Sequence, residues 1–515
     1  METEELIFYQ IYPRSFCDSN GDGIGDIRGI ISKMDYLKAL GINAVWLSPC
    51  FPSPNKDNGY DVSDYCAISP ELGTMQDFEQ MLAMFHKNGI KLILDFVANH
   101  TSTEHEWFQQ SRSAKDNPYR NYYIWRKQPP NDWKSLFGGS AWEYDETTGE
   151  YYLHSFAKEQ ADLNYENPSV RKEMQNVIDF WVEKGVDGFR CDVLDMIAKD
   201  FIKHKNGNGT RLHEYIRELF GRKKTSRLFT VGECWGSSAK NVALFCAPER
   251  RELTAVFNFE HLCLQNDRFS PRKPKLRTVC QRMAKWQKLM QKNGLLPTLF
   301  LENHDQPRSV SRFGDDKKYR YESATALGAL VLLHRGIPFL YQGEEIGMTN
   351  SHHKTIEDFD DIETRNYYFE KKDKMHQDVL LRNVNAGTRD NARRAIAWTE
   401  ENVATYLPAY SEKERVNVHK DLQAEKSVYA FYQKLIALRK NAACFTRGEY
   451  RLIALKNYYR FERRFQGETY QIIVCFAKPC RLPKLKGELV LNNYKTIGTK
   501  LKPYQVLVYK KPSGE

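Results

Sequence analysis

Two short apolar segments, each ending in a carboxylate, constrain this chain more than any other feature. VDGFRCDVLD begins at Val186 and carries Asp192 as its last inward-facing residue. LFTVGECWG begins at Leu228 and carries Glu233 at the matching place. Between them, Leu212, Ile216, Leu219 and Phe220 recur at helical spacing. A strand, a helix and a second strand predict neighbouring parallel strands. Carboxylates at the ends of two such strands can face one small space, the arrangement that cleaves a glycosidic bond.

The rest of the chain repeats this unit. Leu6–Ile11 predicts a first strand, and Ile27, Ile30, Ile31, Met34, Leu37 and Leu40 a helix stopped by Gly41. Ala44–Pro49 and Lys91–Val97 predict strands two and three, with a helix from Asp77 to Asn88 between them. From Thr101 to Asn167 the rhythm breaks into a segment rich in Trp, Tyr, Asn and Gly. Asn167-Pro168 then supplies a helix cap and first turn. Strands six to eight are expected at Ala255–Phe259, Leu296–Leu301 and Pro338–Tyr341. Val428–Leu438 reads as a last amphipathic helix, after which short alternating runs predict an antiparallel sheet domain. The expected architecture is an α/β chain: a (β/α)8 TIM barrel over 1–100 and 168–443, an inserted subdomain over 101–167, and a C-terminal antiparallel β-sandwich over 444–515. No G-x-G-x-x-G fingerprint follows the first strand, which disfavours an open dinucleotide-binding sheet.

At 515 residues the chain exceeds a single core. Its net charge of +10 is spread along the sequence without a nucleic-acid-binding motif, so no nucleic-acid partner is expected. No apolar run approaches the roughly 20 residues that span a bilayer. The acidic start, Met1 to Glu5, runs directly into the first strand and predicts no secretory leader. The 11 cysteines are odd in number and contain no C-x-x-C pair, which predicts a reduced, cytoplasmic protein without structural zinc. A monomer is expected. Asp18, Asn20, Asp22, the carbonyl of Ile24 and Asp26 match the opening of a calcium-binding loop, with Gly23 at the sharp turn. Gly29 stands where such a loop carries its bidentate Glu. A structural Ca2+ is the expectation, and no organic cofactor.

NGYDVSDY, LILDFVANH, GFRCDV, VGECWG, ENHDQPR and YQGEEIGM, in this order, resemble the conserved regions of the α-amylase superfamily, specifically its oligo-1,6-glucosidase and dextran glucosidase branch. The resemblance spans nearly the whole chain and implies the same barrel, insert and C-terminal β-domain. It implies that Asp192 is the nucleophile, Glu233 the general acid/base and Asp305 the third carboxylate. Arg190, two residues before Asp192 on a strand, points to the same side and can hold it as the anion. His100 and His304 match ligands of sugar hydroxyls, and Tyr60 a platform for the terminal glucose. Asp61 and Arg393 match a pair that grips that glucose and closes the pocket, implying release of single units from the non-reducing end. Val193 matches the residue of α-1,6-acting members, where α-1,4-acting ones carry Thr or Ala. Glu363 matches a contact to the leaving sugar.

The chain departs from the pattern at Cys191, where the family has Met, and at Arg394–Ala397 beside the leaving-group side. The resemblance implies an α-1,6-glucosidase acting on isomaltose, isomalto-oligosaccharides or short dextrans. Trehalose-6-phosphate hydrolase shares the Val and is the nearest alternative. An α-1,4-glucosidase or a transglycosylating, sucrose-isomerising relative follows. Catalytically lost transporter ectodomains carry a membrane helix and lack the three carboxylates.

Overall fold

A computed structural model describes residues 2–265, 267–401 and 404–512; residue 1 and residues 513–515 of the expected terminal domains lie outside them. The eight expected strands form: β1 Phe8–Ile11, β2 Ala44–Leu47, β3 Lys91–Val97, β4 Gly188–Asp192, β5 Phe229–Glu233, β6 Ala255–Phe257, β7 Thr298–Leu299 and β8 Ile337–Tyr341. They pair in parallel in the order 6-5-4-3-2-1-8-7. β6 and β7 meet where Thr298 Oγ1 donates to the Val256 carbonyl at 3.1 Å. The sheet is therefore a nearly closed barrel. Nearly every strand residue is buried, which explains why these segments read as unbroken apolar runs.

Local chemistry sets the connections. Thr74 and Asp77 form a reciprocal capping box on the helix Met75–Lys87. Asn167 caps the helix Pro168–Lys184, which ends at Gly185 with φ 99°. The single helix expected after β1 is instead two, Ile27–Ser32 and Met34–Leu40, meeting at Lys33. Lys33 places its ammonium over the Trp398 ring. The irregular segment after β3 holds a three-stranded antiparallel sheet and the pair His100–Ser102 with Gln160–Asp162. The C-terminal part is a five-stranded antiparallel sheet with a two-stranded ribbon packed on it.

Two buried arginines, without carboxylate partners among the described residues, satisfy carbonyls at this junction, and Arg463 of the sheet joins it to the barrel. The helix Arg320–Leu333 ends with unpaired carbonyls, as every helix does. Arg439 donates to the carbonyls of Leu332 and His334, and Arg463 to those of Leu333, Phe445 and Gly448. Arg463→Leu orphans three buried acceptors and is expected to cost about 3 kcal/mol. The thermal midpoint should fall by a few degrees while kcat is unchanged. An unaltered midpoint would refute the clamp.

Candidate active site

Strand register brings the two carboxylates level. Cys191 of β4 is paired with Gly232 of β5, so the next residues, Asp192 and Glu233, stand side by side at the strand ends. Beneath them lies Arg190, 1% exposed. Its Nη1 donates to Asp192 Oδ1 at 2.7 Å and to Asp95 Oδ1 at 2.8 Å, and its Nη2 donates to Glu233 Oε2. Three carboxyl groups thus share one guanidinium. Burial pushes all three up and Arg190 opposes it; Asp192 and Glu233 each rise to about 7 and Asp95 to about 6. The arginine bonds one oxygen of Asp192, and the same charge cannot fully neutralise three carboxylates. The other oxygen of Glu233 accepts from Trp235 Nε1 at 2.8 Å.

Asp305, after β7, sits in the opposite environment. Burial works against its charge, yet His304, Arg393 and Arg389 hold it well below the usual carboxylate range. Arg393 Nη2 lies 2.8 Å from its Oδ1 and His304 Nε2 3.0 Å from its Oδ2.

These groups border a cavity of about 620 Å3, large enough for a small oligosaccharide. Asp192, Glu233, Asp305, Tyr60, His100, Val193 and Glu363 all line it, as the sequence suggested. Val193 has φ 34° and ψ 43°, a left-handed conformation that costs a β-branched residue about 1–3 kcal/mol. It packs with Phe137 and Phe156 beside the nucleophile. Glu363 is held by Arg268 Nη1 at 3.0 Å. The Tyr60 ring lies parallel to His304, centroids 5.1 Å apart.

The remaining expected residues, His304, Arg190, Asp61 and Arg393, stand behind the cavity wall. His304 does not reach the cavity wall: Gln10 contacts its Nδ1, and Tyr60 and Asp305 its Nε2, so it positions those groups. Arg190 lies below the wall for the same kind of reason. Asp61 and Arg393 are not a pair. Asp61 is fully buried and accepts from Ser53, Lys56 and Asp57, while Arg393 reaches Asp305 and the His304 carbonyl. The pair on the wall is Asp57 with Arg389, 2.9 Å apart. Arg268 and Trp235 also line the cavity and were not singled out.

The loop from Asp18 to Asp26 lies outside this site. Asp18 accepts from the amides of Asn20, Gly21 and Gly23, and Asp22 from that of Ile24. Asp26 caps the helix Ile27–Ser32 and binds Ser19. The carboxylates of Asp18 and Asp22 keep acceptor capacity beyond these bonds, a donor set of oxygens that fits a hard cation.

Among the described residues no helix is long and apolar enough to cross a membrane. The family described as alpha amylase, catalytic domain, matches residues 10–448. The chain is 46% identical to the oligo-1,6-glucosidase of Parageobacillus thermoglucosidasius, over 98% of each chain. It is 43% identical to the glucan 1,6-alpha-glucosidase of Streptococcus dysgalactiae subsp. equisimilis, over 90% of this chain and 89% of that one. A crystal structure of Bacillus licheniformis trehalose-6-phosphate hydrolase superposes with a TM-score of 0.91 at 38% identity, covering 98% of this chain and 99% of the other.

Proposed function

The chain belongs to the α-amylase family, and from that premise we propose that it is a retaining, exo-acting α-glucosidase hydrolysing α-1,6 linkages at the non-reducing end of isomaltose, isomalto-oligosaccharides or short dextrans. One observation carries the chemistry: Asp192 and Glu233 end adjacent strands and bind two nitrogens of one buried guanidinium. That closeness suits the separation of about 5–5.5 Å used by retaining pairs.

Asp192 attacks the anomeric carbon while the Glu233 proton passes to the departing glycosidic oxygen. A glycosyl ester forms on Asp192 and the shortened sugar leaves. Glu233, now ionised, takes a proton from water, whose oxygen attacks the same carbon and frees Asp192. Asp305 remains ionised and accepts bonds from sugar hydroxyls that tighten as the ring flattens. Tyr60 offers a face for the terminal glucose, and Asp57 with Arg389 closes the wall around it. Val193 supports the α-1,6 preference, and Glu363, steered by Arg268, is suited to the leaving sugar.

The test is product analysis with isomaltose, panose, dextran, maltose and trehalose 6-phosphate in parallel. Isomaltose should yield glucose whose α-anomer appears first. Rapid maltose cleavage without isomaltose cleavage would sink the linkage assignment, and preferential turnover of trehalose 6-phosphate would favour the hydrolase of that ester. The free thiols support a reducing, cytoplasmic setting. We read the protein as a monomer.

Asp18, Asn20, Asp22 and the Ile24 carbonyl would hold a structural Ca2+, which supplies charge neutralisation to the loop and no step of the reaction. Chelation with EGTA should lower the thermal midpoint by several degrees, restored by Ca2+ and absent in Asp18→Asn/Asp22→Asn. A midpoint indifferent to chelator would remove the ion.

A further inference from the structure

A second cavity, of about 530 Å3, shares Arg268 and Gln306 with the catalytic one. Apart from Arg268, which holds Glu363, its residues take no part in the reaction above. Its walls carry Arg268, Arg272, Lys273, Arg312 and Arg382, opposed by the carboxylates of Asp316 and Asp378 alone. Lys273 is paired with Asp316 and Arg268 with Glu363, which leaves Arg272, Arg312 and Arg382 without a carboxylate partner among the described residues. Asp316 lies 3.8 Å from Lys273, and Asp378 is exposed beside His376.

Arg312 is the informative member. Its guanidinium donates to Gln306 Oε1 at 2.8 Å and to the Leu262 carbonyl at 2.7 Å, both neutral. Among the described residues no carboxylate pairs with it, and burial together with the nearby Arg268 charge pushes its pKa down to about 10. A half-buried cation beside a like charge lacks the anion that such a site ordinarily contains. His353, on the same wall, has its Nε2 shielded from water and without a hydrogen-bond partner. Arg272 and Arg382 are exposed and have no ion pair or side-chain hydrogen bond among the described residues.

We propose that this cavity is an oxyanion site for a phosphate group, with Arg312 at its floor and Arg272, Lys273 and Arg382 closing over the ligand. Guanidinium forks match the geometry of phosphate oxygens, and the volume accommodates a sugar phosphate as readily as free phosphate. Arg312 holds Gln306, the residue after Asp305, so the site adjoins the leaving-group side of the sugar pocket without belonging to it. The proposal is independent of the linkage reading.

The test follows thermal unfolding of the full chain in rising inorganic phosphate, at constant ionic strength made up with sodium chloride, and again with glucose 6-phosphate. The midpoint should rise saturably with either ligand. Tighter binding of glucose 6-phosphate identifies a sugar phosphate as the occupant, and equal binding identifies free phosphate. The double variant Arg272→Ser/Arg382→Ser should weaken the apparent Kd about tenfold or more, since two charge-assisted contacts are lost. Saturating isomaltose should leave the phosphate Kd unchanged. The proposal is overturned if phosphate acts no differently from chloride, if the double variant binds as the wild type does, or if isomaltose competes and so places the anion in the catalytic cavity.

Discussion

Asp192→Asn is expected to lower kcat/KM for isomaltose by about five orders of magnitude, in the range seen when a covalent nucleophile is removed. The amide has nearly the shape of the carboxylate and still accepts the Arg190 bond that Asp192 Oδ1 accepts at 2.7 Å. Geometry is therefore retained and only the attacking electron pair is lost. Stability should move the other way. Burial raises the Asp192 pKa, so the folded state prefers this group protonated. Its ionised form opposes folding at pH values above the unfolded pKa of about 3.9. A neutral Asn removes that opposition, and the thermal midpoint at pH 7 should hold or rise. An inactive, folded protein separates loss of chemistry from loss of structure. Near-normal turnover in the variant would refute the assigned nucleophile.

The barrel was legible because parallel strands buried on both faces leave long apolar runs, and because Asp192 and Glu233 directly terminate two of them. Asp305 could be placed by the family motif around it, although β7 has only two residues, Thr298 and Leu299. What escaped lies where the chain is irregular. Asp57 belongs to a turn and Arg389 to the residue before a single helical turn. No period in the sequence says which way their side chains point. Both identities depend on a contact between residues more than three hundred positions apart, made by Arg389 Nη2 and Asp57 Oδ1. Asp95 was likewise read only as part of a strand. Its role as a third carboxyl on Arg190 follows from β3 lying next to β4 in the barrel. His304 could be placed by its motif alone, and the fold sets its ring between Gln10, Tyr60 and Asp305.

Glu233→Gln should separate the two halves of the reaction. For isomaltose the departing oxygen is an alkoxide of high pKa and needs the Glu233 proton, so kcat/KM should fall by about 10³–10⁴-fold. For a 4-nitrophenyl α-glucoside the leaving phenolate is stable without a proton, and formation of the Asp192 ester should proceed within about tenfold of the wild-type rate. Its hydrolysis then lacks a base, so a burst of nitrophenol is expected, with a slow steady state that azide accelerates. The pH profile supplies the sign. The acid acts only while protonated, so wild-type kcat/KM for isomaltose should decline as pH rises through the Glu233 pKa, pushed up by burial to about 7. On the other side activity is lost as pH falls and Asp192 takes up a proton. Because Asp95, Asp192 and Glu233 share Arg190, both limbs belong to the cluster rather than to single residues. With the aryl glucoside, replacing Glu233 by Gln should remove the alkaline limb and leave the acidic one. If the alkaline limb survives in Glu233→Gln, the proton resides on another member of the cluster and the acid assignment fails.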